Sequence, residues 1–235
     1  MDFDLSALAY TASIWVLPVL LAITLHEAAH GFIAWSYGDD TAYKLGRVSI
    51  NPLKHIHPIG TILLPLLLIV FKAPFLFGYA KPVPVATHRL RRPRRDMVYV
   101  AAAGPTANLI LAALSAILFN IVWLLPDAPA MWLAQTLKIS IIVNLVLAVL
   151  NLLPLPPLDG GRIAVGLLPI SLAVPLARLE RYGIFILLAA FFLLPYLGRE
   201  LGLSINVFDW LIRTPVNWML PFFSSLAGMT EALRL

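Results

Sequence analysis

Four stretches of apolar positions carry no charge at all: residues 5–25, 97–126, 139–158 and 182–198. A helix needs about 20 apolar residues to cross a bilayer, so three of these suffice and the fourth is near the lower limit. Residues 201–227 are also apolar, but Asp209 and Arg213 interrupt them. That stretch reads as a last span or as an amphipathic helix at the interface. The first helix is predicted over 9–37, stopped by Gly38-Asp39-Asp40. Residues 43–50 mix polar and β-branched side chains, a pattern that predicts a short strand. Residues 59–71 are apolar but short and contain Pro65. The following Gly78-Tyr-Ala-Lys-Pro-Val-Pro-Val85 holds two prolines and cannot be a regular helix.

Composition places these runs in lipid. Of the 235 residues 60% are hydrophobic and 12% charged, and the mean hydropathy is +0.88. A soluble domain would need more polar residues to cover its surface. The chain is expected to be an all-α integral membrane protein, a multi-pass bundle of about five to six spans forming one domain. With no cysteine, disulfide and thiolate chemistry are excluded. Asp2 and Asp4 stand where a signal peptide would be positive, so the start does not read as one.

The net charge of +5 is no larger than the arginine cluster Arg89, Arg91, Arg92, Arg94 and Arg95. Its place directly before an apolar run reads as a cytoplasmic topology anchor rather than a nucleic-acid surface. Lys44, Arg47 and Lys54 put the end of the first helix on the same side, as Arg162, Arg178 and Arg181 do for the segment near residue 159. Both ends can share a side only if residues 59–80 dip into the membrane and return, because two full crossings do not fit. A short re-entrant or β-like segment is therefore expected, covered by protein or lining a wet cavity.

Candidate chemistry begins at His26-Glu27-Ala-Ala-His30. Positions i and i+4 share a helix face, so both imidazoles can reach one metal ion, while Glu27 stands about 100° away, beside the metal. Three ionisable groups in an apolar span cost several kcal/mol unless paired, hydrated or liganded. A catalytic zinc usually takes three protein ligands and keeps one position open. The third candidate is Asp159, where Pro154, Pro156 and Pro157 break the preceding helix and Gly160-Gly161 permit a sharp turn. His55, His57 and His88 compete with it and read more simply as loop residues.

These motifs resemble the site-2 protease family of intramembrane zinc metalloproteases. The matching elements are His26-Glu27-x-x-His30, Asn151…Pro154…Leu158-Asp159-Gly160, Gly104-Pro-Thr-Ala-Asn108 and the Gly78–Pro84 loop. The likeness covers residues 5–162, the expected core of a single domain over 1–235, with C-terminal helices at 163–235. The resemblance implies one Zn2+ per chain held by His26, His30 and Asp159, with Glu27 as catalytic base. It implies a compact member without PDZ or CBS domains, acting on transmembrane protein substrates in the cell membrane, its active site toward the cytoplasmic side. Asn151 and Asn108 are candidates for orienting substrate or an oxyanion. Asn144, two turns before Asn151, reads as interhelical glue. The rival reading is a zinc-binding membrane protein without proteolysis, a transporter or regulatory pseudoenzyme. No internal repeat supports transport, and a transporter has no need of Glu27.

Overall fold

A computed structural model describes residues 5–63, 67, 81–229 and 233–235. Helix α1 covers Leu5–Ser36 and continues through Pro18. In lipid a broken helix would strand backbone groups without water, so the proline is absorbed rather than obeyed. The helix stops where the sequence predicts. Gly38 adopts φ +109°, its N–H donates to the Trp35 carbonyl, and the Asp39 N–H reaches back to Ala34 at 2.9 Å. This is a Schellman-type end, which needs a residue that tolerates the left-handed region.

The strand expected over 43–50 is not formed, and no strand occurs among the described residues. Instead Thr41–Lys44 makes one helical turn, α2. The cause is local: the buried Asp39 carboxylate accepts from both the N–H and the hydroxyl of Thr41, which fixes a turn there. Only a few residues remain before Asn51 opens the next turn at Pro52–Lys54. Of the segment expected to be re-entrant, Pro58–Leu63 is a wide helical turn and residues 81–86 form no helix or strand. Most of what lies between is outside the described residues.

Helix α3, Pro93–Phe119, opens with Pro at its first turn, and the buried Asp96 accepts from the Arg92 N–H. Helix α4, Asp127–Asn151, begins well before the charge-free run and carries Lys138 on its exposed side. Short helices α5, Asp159–Leu167, and α6, Ile170–Arg178, follow. Then come α7, Gly183–Glu200, and a π-helical turn at Asp209–Arg213 leading into α8, Thr214–Leu226. Among the described residues α7, α3, α4 and the 9–36 part of α1 are long and apolar enough to cross a membrane.

Helix α3 sits centrally, packed on α1, α4 and α5. Its small residues Ala112 and Ala116 let α4 and α8 close around it, burying Ile141, Leu145, Ile212 and Leu220. The last apolar stretch thus joins the bundle despite its charges, with Asp209 and Arg213 paired one turn apart at 3.6 Å on the exposed side. Outward-facing Val16, Phe32, Ile110, Ile117 and Phe185 leave an apolar exterior that lipid satisfies.

Candidate metal centre

His26 and His30 project from the same face of α1, their rings edge to face with centroids 4.7 Å apart. Their Nε2 atoms approach to 3.0 Å. Asp159 meets them from the first turn of α5, its Oδ2 lying 3.2 Å from His26 Nε2 and 3.4 Å from His30 Nε2. The sequence brings it there through a tightly folded backbone. A Cβ on Gly160 would overlap the Leu152 carbonyl, and one on Gly161 would overlap the Leu155–Pro156 backbone. The proline-rich turn and the start of α5 therefore touch main chain to main chain.

The far side of each imidazole decides what its near side offers. His26 Nδ1 lies 2.7 Å from Asn108 Oδ1, and His30 Nδ1 lies 2.7 Å from the Val100 carbonyl. Both partners are acceptors, so each neutral ring carries its proton on Nδ1 and turns a bare lone pair inward from Nε2. Asp159 Oδ2 is buried and has no hydrogen-bond partner. Three acceptors thus face one another with no proton between them, an arrangement that costs several kcal/mol unless a cation fills it. Two imidazole nitrogens and one carboxylate oxygen, all within 4.8 Å of one another, are a donor set suited to zinc with a coordination position to spare.

Gly104 makes this possible. Val100, Gly104 and Asn108 lie four residues apart along one face of α3, so the two acceptors flank a gap. A Cβ in that gap would stand 2.5 Å from His26 Cε1 and 2.5 Å from His30 Nε2. The histidines nest against a position where only hydrogen fits.

Glu27 is half-buried and stands apart from the three converging donors. Its Oε2 accepts from the Val83 N–H at 2.7 Å. The segment carrying Val83 is fixed on both flanks: Lys81 N–H donates to the His55 carbonyl at 2.9 Å, and Ala86 N–H donates to the buried Asp39 carboxylate at 2.6 Å. Val83 can lie close because Gly31 stands one turn after Glu27, where a methyl would meet Val83 Cγ1 at 3.1 Å. The carboxylate is thereby anchored by main chain on one oxygen.

The remaining candidates are engaged in other ways. Asn151, at the end of α4, donates to the Leu147 carbonyl of its own helix. Asn108 has both amide protons engaged, on the Ala22 carbonyl at 3.2 Å and on Asn144 Oδ1 at 2.8 Å, so no N–H is left for an oxyanion. His55 is buried and donates to the Ser49 carbonyl, while His57 Nδ1 accepts from the Gly60 N–H. His88 is exposed. Neither Val100 nor Val83 could be found from side-chain chemistry, because each acts through its main chain.

Residues 126–194, which include Asp159, match the profile of peptidase family M50. Over 180 residues the chain is 40% identical to "Putative zinc metalloprotease YwhC" of Bacillus subtilis (strain 168), covering 75% of this chain and 78% of that protein. It is 33% identical over 181 residues to "Putative zinc metalloprotease Rip2" of Mycolicibacterium smegmatis, covering 77% of this chain and 66% of the relative. With the protein of the same name in Mycobacterium tuberculosis (strain ATCC 25618 / H37Rv) the identity is 35% over 160 residues, covering 65% of this chain and 57% of the relative. No solved structure matches the chain.

Proposed function

This chain belongs to peptidase family M50, the site-2 protease family of zinc metalloproteases, and from that premise we propose which residues do its chemistry and on what substrates. It is a multi-pass membrane metalloprotease. In our reading His26, His30 and Asp159 hold a single zinc ion, Glu27 is the catalytic base, and the substrates are transmembrane proteins cut in regulated intramembrane proteolysis. The observation that carries the reading is the meeting of two Nε2 lone pairs with an orphaned, buried Asp159 Oδ2.

When bound, zinc supplies a Lewis acid that acidifies water and polarises a peptide carbonyl. The residues do the rest. Glu27 takes a proton from the attacking water and delivers it to the amine nitrogen as the C–N bond breaks, so that no covalent intermediate is needed. Its anchored oxygen holds the carboxylate at one place through both transfers. A substrate helix must unwind first, because its carbonyls are hidden in hydrogen bonds. We expect an unwound strand to pass residues 81–86, the non-helical segment tied to Glu27. It would pair mainly through its own N–H groups, since Pro82 and Pro84 lack one and those of Lys81, Val83 and Ala86 are engaged.

The test is cleavage of a membrane-protein substrate by the purified chain in detergent. Cleavage should stop with a zinc chelator and return with added zinc. Zinc-loaded protein that cuts no membrane substrate would favour the non-proteolytic rival.

We further propose that the first helix runs inward, with the metal centre toward the cytoplasmic side of the cell membrane. Positive charge gathers after α1 and around the start of α3, at Lys44, Arg47, Lys54 and residues 89–95. Cysteines placed at Ser6 and Arg92 should label from opposite faces of intact cells. Labelling from one face overturns this orientation.

A further inference from the structure

Behind His26 a buried polar chain crosses from α1 to α3 to α4. His26 Nδ1 meets Asn108 Oδ1 at 2.7 Å, and Asn108 Nδ2 meets Asn144 Oδ1 at 2.8 Å. Asn144 Nδ2 in turn meets the Ser140 carbonyl at 2.8 Å and the Ser140 hydroxyl at 3.3 Å, and that hydroxyl meets Ser115 at 2.7 Å. Asn108 is 0% and Asn144 1% exposed, so each polar atom depends on its protein partner.

The chain has a direction. Main-chain carbonyls only accept, and one stands beside each amide: Ala22 beside Asn108 and Ser140 beside Asn144. The Ser140 carbonyl requires the nitrogen of Asn144 to face it, which turns Asn144 Oδ1 toward Asn108. That oxygen, with the Ala22 carbonyl, requires both protons of the Asn108 amide to point away from His26. Only Asn108 Oδ1 is left for the imidazole, and it demands a proton on Nδ1. An inverted Asn108 would offer His26 a donor, put the ring proton on Nε2, and block the atom that faces Asp159. Interhelical glue would need the bonds to form, but it would not need this polarity.

We propose that Asn144 is a positioning residue of the metal centre, which together with the longer contact to the Ala22 carbonyl holds the amide orientation of Asn108 and thereby the tautomer in which His26 presents Nε2. The inference rests on the reading of His26, His30 and Asp159 as metal ligands. Partners behind a ligand typically contribute 10- to 100-fold to metal affinity.

The experiment measures zinc affinity of the full chain in detergent by chelator competition, together with the visible spectrum of the cobalt-substituted protein. Asn144→Leu should weaken zinc about 10- to 100-fold and alter the cobalt bands. Asn144→Asp, neutral when buried, keeps an acceptor for Asn108 and a donor for Ser140, and should bind zinc nearly as the parent does. Ser115→Ala cuts the same polar chain beyond the orienting step and should leave affinity unchanged. If Asn144→Leu does not fold, Asn144→Ala removes the amide without added bulk and carries the same expectation. Parental affinity and spectrum without the amide, or an aspartate variant as weak as the leucine one, would overturn the proposal. Asp159→Ala is the control on the ligand set. Zinc retained there removes the metal-centre reading itself, whereas zinc lost there but kept without the Asn144 amide removes only the role of Asn144.

Discussion

The Glu27→Gln protein is expected to keep its zinc and to cleave at least about 100-fold more slowly, since general acid–base groups contribute about 10²–10⁴-fold. Glutamine is close to isosteric and can still accept from the Val83 N–H, so the local geometry survives. What it lacks is a carboxylate to take up a proton. The three converging donors are untouched, and zinc measured on purified protein should stay at the parental level. Asp159→Ala should fail differently, losing the metal and activity together, because in the proposed reading it removes a ligand. His57→Ala should leave zinc content unchanged, since His57 Nδ1 is bound to the neighbouring Gly60 N–H. Zinc lost from His57→Ala but kept in Asp159→Ala would replace the third ligand. Undiminished cleavage by Glu27→Gln would end the mechanism.

Gly104→Ala is expected to weaken zinc binding at least about 100-fold, beyond the usual effect of a residue behind a ligand. The added methyl would stand 2.5–2.6 Å from atoms of both histidine rings. Neither ring can yield cheaply, because His26 is bound to Asn108 and His30 to Val100, one turn to each side on the same helix. Moving aside means surrendering the hydrogen bonds that set both tautomers. Helix propensity works in the opposite direction: alanine in a helix interior is favoured over glycine by about 1 kcal/mol. Circular dichroism should therefore show an intact helical protein whose metal analysis shows an emptied centre. Full zinc occupancy in that variant would mean that α3 does not seat the histidines.

The spans were legible in the sequence because lipid demands long charge-free runs, and most of 97–126 and 139–158 lies on α3 and α4, although α4 starts well before its run at Asp127. The convergence of His26, His30 and Asp159 was legible for a similar reason, since ionisable groups in apolar spans are costly unless they meet a partner. The strand expected over 43–50 failed because a single buried carboxylate, Asp39, outweighs the propensity of its neighbours. The setting of the candidate metal centre was harder to read. Gly104 advertises close helix approach but not what approaches, and Asn108 reads as a donor until both its protons are seen to be spent. The Val100 carbonyl and Val83 N–H carry no signal in residue type at all. Main-chain groups become visible only once tertiary packing aims them.

Asp159 comes from the turn after α4, and that origin bears on how the enzyme matures. A chain still being threaded into the bilayer, with α1 and α3 in place, already carries both imidazoles and the glutamate. It lacks Asp159, the third ligand in the proposed reading, until α5 docks on α3, where Arg94 reaches the Leu168 carbonyl at the far end of that short helix. On the proposed reading of Asp159 as a zinc ligand, hydrolytic competence would come only with that last docking.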